Sequence, residues 1–259
     1  MKSLSLAIET SGRNHSVAVS AAGKIVVSQD AKSFLGETSD VDGRPEPNSS
    51  SLLMPMIRSV IQDANVEPRQ IDLISVTNGP GSFTGLRVGV VTAKTLAFSL
   101  NCPLVSVNTL RASAVRAMVR NGLDQGRVVK TIINAQRGQL FAATFRVAAE
   151  SAAVEGSMDC LPVTAAHIVD PNQWVSELND GDFVTGAGVK MSAGLIETAM
   201  VQLPSLEVEK EPFRGCDVAT VAAIGEQKFH EGDLASAWDL KPVYFRPSAA
   251  EEVRVAKGS

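Results

Sequence analysis

Residues 4–12 read LSLAIETSG. Leu4, Leu6 and Ile8 alternate with Ser5 and Ala7, the period of a strand, and the alternation stops at the polar turn Glu9-Thr10-Ser11-Gly12. HSVAVS and KIVVSQ follow, separated by AAGK, which completes a three-stranded meander. Residues 33–51, SFLGETSDVDGRPEPNSSS, are polar and turn-rich and read as a loop. SLLMPMIRSVIQDANV then has helical spacing at Leu53, Met56, Ile57, Val60 and Ile61, with Pro55 tolerable only in the first turns. A strand, IDLISVTNG, a helix from near Phe83, a strand, PLVSVNT, and a helix, LRASAVRAMVRNG, come next.

The same order begins again at RVVKTIINAQRG, a strand ending in a polar turn, with QLFAATFRVAA and a third strand near Met158–Val163 behind it. Asp170-Pro171-Asn172-Gln173 opens a helix with a capping carboxylate, proline at the first helical position and glutamine at the third. DFVTGAG is again strand then glycine turn, and CDVATVAAIGEQKFHEG an amphipathic helix. Setting Asn134 against Glu9, an offset of 125 residues, aligns meander, helix, strand, glycine turn and helix on both sides. The pattern predicts a duplicated α/β unit, divided here into 1–108 and 109–259. Its strand-to-turn corners, Glu9 to Arg13, Asn78 to Ser82, Asn134 to Gly138 and Thr185 to Gly188, would wall a cleft between the units.

Composition is that of an ordinary globular protein: 44% hydrophobic, 20% charged, and 28 acids against 24 bases for a formal charge of -4. No global basic field exists to hold nucleic acid by phosphate neutralisation alone. Cys102, Cys160 and Cys216 are an odd number without CxxC spacing, so neither a disulfide framework nor a zinc site is suggested and a reducing cytoplasm fits best. No apolar run reaches about 18 residues, and the N-terminus lacks the pattern of a secretory leader.

The glycine-rich stretch 78–89, NGPGSFTGLRVG, invites a phosphate-cradle reading. It fails the P-loop template, because no Lys-Ser or Lys-Thr follows any glycine at that spacing, and it fails the Rossmann fingerprint, because Gly79, Gly81 and Gly85 are spaced GxGxxxG. What remains is a turn at Gly79 or Gly81 and a helix capped by Ser82 or Thr84. Within that helix Gly85, Gly89, Ala93 and Ala97 recur every four residues and form a stripe without bulk, flanked by Leu86, Val90 and Leu96. Interior glycines cost about 1 kcal/mol each relative to alanine, so the stripe serves close approach, either of the helix to its own sheet or of a partner chain.

The catalytic inventory is thin. Glu9 is a candidate metal carboxylate, but Asn134 holds the matching corner, and His15, His167 and His230 are isolated, without HxxxH or HExxH, and read as surface or capping residues. An ATP-dependent small-molecule kinase or ATPase, with Glu9 and the NGPGS turn holding Mg-nucleotide, is opposed by the missing second carboxylate. A metalloprotease lacks its histidine pair.

LAIETSG, SSLLMPMI, NGPGSFTGLRVGVVTAKTLAFSL, INAQRGQLFAA and KPVYFRPS together resemble the TsaB (YeaZ) family, over essentially the whole chain. The resemblance implies paired RNase-H-like subdomains of the actin, sugar-kinase and Hsp70-like (ASKHA) superfamily. It implies a non-catalytic paralogue of TsaD, the enzyme that threonylcarbamoylates adenosine 37 of tRNAs reading ANN codons, and a heterodimer with TsaD that the ATPase TsaE joins. The implied interface is Leu53, Met56, Val60, Gly85, Leu86, Gly89, Val90, Ala93 and Ala97, a face through which the chain alone could also pair with itself. Glu9, Thr10, Ser11, Gly79, Gly81, Ser82, Asn134, Gly186 and Gly188 would line a vestigial nucleotide-like cleft. No cofactor or metal is required on this reading, while weak nucleotide binding in the cleft or at a complex interface stays open. Two departures from the family pattern stand out: Ser49-Ser50 where a His-Ser pair is usual, and Asn134 where aspartate is common.

Overall fold

A computed structural model describes residues 3–35, 49–148, 159–210 and 215–245. The described residues contain two five-stranded sheets, ordered β3-β2-β1-β4-β5 and β8-β7-β6-β9-β10. In the first, β1 (Leu4–Glu9), β2 (Ser16–Ala21) and β3 (Lys24–Asp30) form an antiparallel meander. β4 (Leu73–Gly79) pairs parallel with β1, and β5 (Leu104–Asn108) parallel with β4. β6 (Val128–Asn134), β7 (Leu140–Val147), β8 (Cys160–Val169), β9 (Phe183–Thr185) and β10 (Glu207–Val208) repeat that order and those directions strand for strand. Glu9 and Asn134 each end the first strand of their sheet, as the 125-residue offset requires.

Helices α1 (Ala31–Leu35), α2 (Ser49–Asp63), α3 (Phe83–Leu100), α4 (Thr109–Asn121), α5 (Pro171–Val175), α6 (Ala193–Gln202) and α7 (Val218–His230) cover the sheets. Their starts are written in side chains. Ser82 accepts from Gly85 N–H, Asn108 from Arg111 N–H, Asp170 from Asn172 N–H and Asp217 from Thr220 N–H, each satisfying a donor the helix cannot. Residues 33–51, expected as loop, include the end of α1 and the start of α2, and 36–48 of that stretch lie outside the described residues. Because α2 begins at Ser49, Pro55 sits in its second turn, deeper than expected, on the exposed side.

The helix that follows the fifth strand of each sheet covers the other sheet. α4 lies on β6, β7 and β8, and α7 packs across β1, β4 and β5 of the first sheet. One apolar cluster therefore spans both halves, joining Ala7, Val105 and Val107 to Leu110, Ala114 and Met118 of α4, Val129 and Phe145 of the second sheet, and Val221 and Ile224 of α7. Alanines on α4 keep its backbone close to both neighbours. Beside this core Arg116 of α4, 5% exposed, donates from Nη2 to both carboxylate oxygens of Glu209, at 2.8 and 2.7 Å, and Thr185 Oγ1 donates to the same carboxylate.

The small-residue stripe corrects a sequence expectation. Leu53, Met56, Val60, Gly85, Leu86, Gly89, Val90, Ala93 and Ala97 were expected at a partner interface, and all nine are buried inside this chain. α2 and α3 turn them onto Leu6, Ile8, Val17, Val19, Ile74 and Val76 of the first sheet. A Cβ at Gly85 would stand 2.2 Å from Thr10 O, and one at Gly89 would stand 2.1 Å from Thr10 Oγ1. The approach the glycines allow is that of α3 to the turn after β1. His15, expected at the surface, is 3% exposed and lies against Gly85.

Two stability outcomes follow from these contacts. Gly89→Ala loses about 2 kcal/mol through overpacking against Thr10, and Gly89→Ala combined with Thr10→Ala returns most of it, read as urea midpoints in a double-mutant cycle. Glu209→Leu alone strands the Arg116 charge and costs about 3 kcal/mol, whereas Arg116→Met with Glu209→Leu recovers the loss, read by thermal unfolding.

Candidate functional site

The corners expected to wall a cleft are built as follows. At the end of β1, Glu9 is 3% exposed and its Oε1 accepts from Ser11 N–H at 2.7 Å and from Ser11 Oγ. Burial pushes the Glu9 carboxyl up to about 7, against the lowering effect of the hydrogen bonds from Ser11 and the Gly12 backbone, with Asp217 adding a small upward push. The carboxyl is thus turned inward onto its own turn and holds its proton up to near-neutral pH. Thr10, fully buried, donates its N–H to Thr77 Oγ1 at 3.2 Å and places its own hydroxyl against Gly89.

The glycine turn closes on the same residues. Ser82 N–H donates to Ser11 O at 2.7 Å, and a Cβ at Gly81 would stand 2.5 Å from that oxygen. Residues 9–11 and 79–82, expected to line a cleft, are joined to each other by backbone hydrogen bonding. Gly79 takes a φ of +118°, open to glycine alone, and a Cβ there would meet Val243 O at 3.1 Å.

The second half's corners differ. Asn134 is exposed, and its Oδ1 accepts from Gln136 N–H at 2.7 Å, a local turn that occupies the side chain. Gly188 N–H donates to Ile132 O at 2.9 Å, and a Cβ at Gly186, φ +110°, would stand 2.3 Å from that same oxygen. Gly186 and Gly188 therefore hold the turn after β9 against β6. Among the described residues no three His, Cys, Asp or Glu side chains gather as a metal-binding group.

Two neighbours of the corners escaped the sequence reading. Cys216 and Asp217, at the start of α7, stand near enough to Glu9 to act on it and be acted on: burial, Glu9 and Asp217 push the Cys216 thiol well above its ordinary range. Asp217 caps α7, and the packing of α7 on the first sheet brings it to β1. The second neighbour is the segment after α7, whose Val243 N–H donates to Asn78 O at 2.7 Å.

The sign of the Glu9 effect is fixed by its direction. Its unfolded value is 4.5 and its folded value about 7, so between those pH values the unfolded chain gives up a proton that the folded chain keeps. Stability is full below pH 4.5, falls as pH rises through 7, and is lower by about 3 kcal/mol above it. Glu9→Gln mimics the protonated form. The wild-type-minus-variant difference in urea-derived stability, measured from pH 5 to 8, is expected to fall with pH and to leave the variant the more stable protein at pH 8.

Comparison with known proteins follows the same lines. The family model for TsaD, tRNA N6-adenosine threonylcarbamoyltransferase, matches residues 45–173. The chain is 36% identical over 99 residues to a protein of Bacillus subtilis (strain 168) named tRNA threonylcarbamoyladenosine biosynthesis protein TsaB, covering 38% of this chain and 41% of that one. Like-named proteins of Haemophilus influenzae, 24% identical, and Escherichia coli K12, 26% identical, align over 82% and 76% of this chain and 86% and 80% of their own lengths. Among solved structures, YeaZ from Pseudomonas aeruginosa superposes with a TM-score of 0.66 at 19% identity, over 93% of this chain and 99% of that one. That likeness supports the fold of two like-ordered mixed sheets already evident in the repeated strand order. TsaB-named relatives align along most of the sequence and a YeaZ structure has the same two-sheet architecture, so the chain is similar to the TsaB (YeaZ) proteins over most of its length.

Proposed function

We propose that this chain is a non-catalytic subunit in the synthesis of threonylcarbamoyladenosine at position 37 of tRNA, pairing with a TsaD-type transferase and, through that pair, with the ATPase TsaE and the tRNA. The observation that carries this reading is the outer face of the α2–α3 layer. Their inner faces are consumed by the core, yet Met54 is 52%, Val91 62% and Phe98 66% exposed on the outside, and large apolar side chains on one helical layer mark an interaction face. The interface therefore moves from the buried small-residue stripe to the opposite side of the same helices, where Arg87 and Thr95 are also exposed.

The first-half corner supports the non-catalytic part. Glu9 spends its hydrogen bonds on Ser11 and is buried, and the glycine turn spends an amide on Ser11 O. These groups hold the fold, and the chain needs no cofactor of its own. When alone, the same apolar face serves self-association as an isologous pair.

The test is sedimentation of the purified chain, alone and mixed with TsaD of its own organism. Val91→Asp and Met54→Asp are surface changes expected to leave the unfolding midpoint within about 0.5 kcal/mol of wild type and to weaken the heterodimer at least tenfold. Undiminished pairing would move the interface elsewhere. No pairing by wild type, with ATP hydrolysis lost in Glu9→Ala, would favour the small-molecule kinase or ATPase reading.

A further inference from the structure

After α7 the chain turns back and runs along the first half toward the glycine turn. Ala235 N–H donates to Leu104 O at 2.7 Å, a bridge on the free edge of β5. Trp238 then meets Phe98 edge-on at 5.4 Å, Lys94 Nζ donates to the carbonyls of Trp238 and Leu240 at 3.1 Å each, and Tyr244 lies on Phe83 at 4.9 Å. The segment thus descends α3 from position 98 to position 83, antiparallel to the helix. The chain first turns at 237–239, where Leu240 N–H donates to Ser236 O at 2.9 Å, and then runs from Leu240 to Tyr244 along the helix. Pro242 suits this, since it fixes its own backbone and biases Lys241 to the extended region.

The end of this run leaves the first half. Val243 donates to Asn78 O and crosses Gly79 so closely that a side chain there would press on it, and Phe245 reaches Phe141 of β7 with ring centroids 5.4 Å apart. Anchors at 104, 98, 94, 83 and 78 are all on the first half, whereas Phe141 belongs to the second. We propose that residues 235–245 are a strap that ties the two halves together across the Asn78–Gly79 corner, and that release of its Phe245 end is a conformational switch of this chain. A segment held on the first half by several contacts, and on the second by the Phe245–Phe141 ring contact at its end, gives way at that end first. Its loss frees the Val243–Asn78 hydrogen bond next, uncovering the glycine turn and the start of β7 together. This coupling is independent of the pairing reading above.

Hydrogen exchange on the full chain tests it, comparing wild type with Phe141→Ser, a change in the second half that touches no first-half anchor. The expected result is at least tenfold faster exchange at Val243 and in peptides covering 76–84, with residues 110–118 of α4 unchanged. Acceleration confined to β7 would overturn the proposal, because no strap then transmits the change. Equal acceleration in α4 would overturn it too, because the effect is then general loosening. Tyr244→Ser with Phe245→Ser approaches from the other end and is expected to accelerate both 76–84 and 139–147; an unchanged 139–147 would likewise sink the proposal.

Discussion

Helix α3 reaches the turn after β1 only because two of its residues have no side chain. With Gly85 over Thr10 O and Gly89 over Thr10 Oγ1, the helix descends far enough for Ser82 to hydrogen-bond Ser11 and cap its own first turn. Everything at that corner inherits the geometry. Thr10 and Ser11 are sealed from solvent, Glu9 is enclosed with them, and desolvation holds its proton. Each glycine sacrifices helix propensity, and the gain is a dry, closely packed junction.

The duplicated corners show what that junction does. β1 and β6 end at equivalent places, yet Glu9 is enclosed and Asn134 stands in solvent, bonded to its own turn. In the second half the close approach is made at Gly186 and Gly188, on Ile132 of the neighbouring strand, and no capped eighteen-residue helix descends onto the turn. In the first half the close approach is that of a helix to a turn. In the second it is that of a turn to a neighbouring strand, and both sheets carry register shifts.

Much of this was written in the sequence. The repeat was legible because strand period, turn and amphipathic helix recur in order, and the caps at Ser82 and Asp170 because the residue types are specific. The inner and outer faces of α3 were misread for a physical reason: a stripe of glycine and alanine specifies that a backbone comes near, without saying whose. β8 was placed near Met158–Val163 and runs Cys160–Val169, since Pro162 and successive alanines on an edge strand blur the alternation. The destination of α7 was invisible, because an apolar face does not name the sheet it will cover. The path after α7 has no period to read, although its aromatic residues and Pro242 were present in the stretch that carried the family resemblance.

The exchange of α4 and α7 also sets the order in which this protein can be made. β5 ends at Asn108 and the helix that covers its sheet begins at Val218, so a nascent first half waits for 110 more residues. At cellular synthesis rates that interval is on the order of 5–20 s, during which Ala7, Val105 and Val107 lack the α7 side of their core. The two halves are repeats in design but a single unit in folding. An early-terminated product leaves an apolar sheet face bare, and such a face is a substrate for chaperones and proteases.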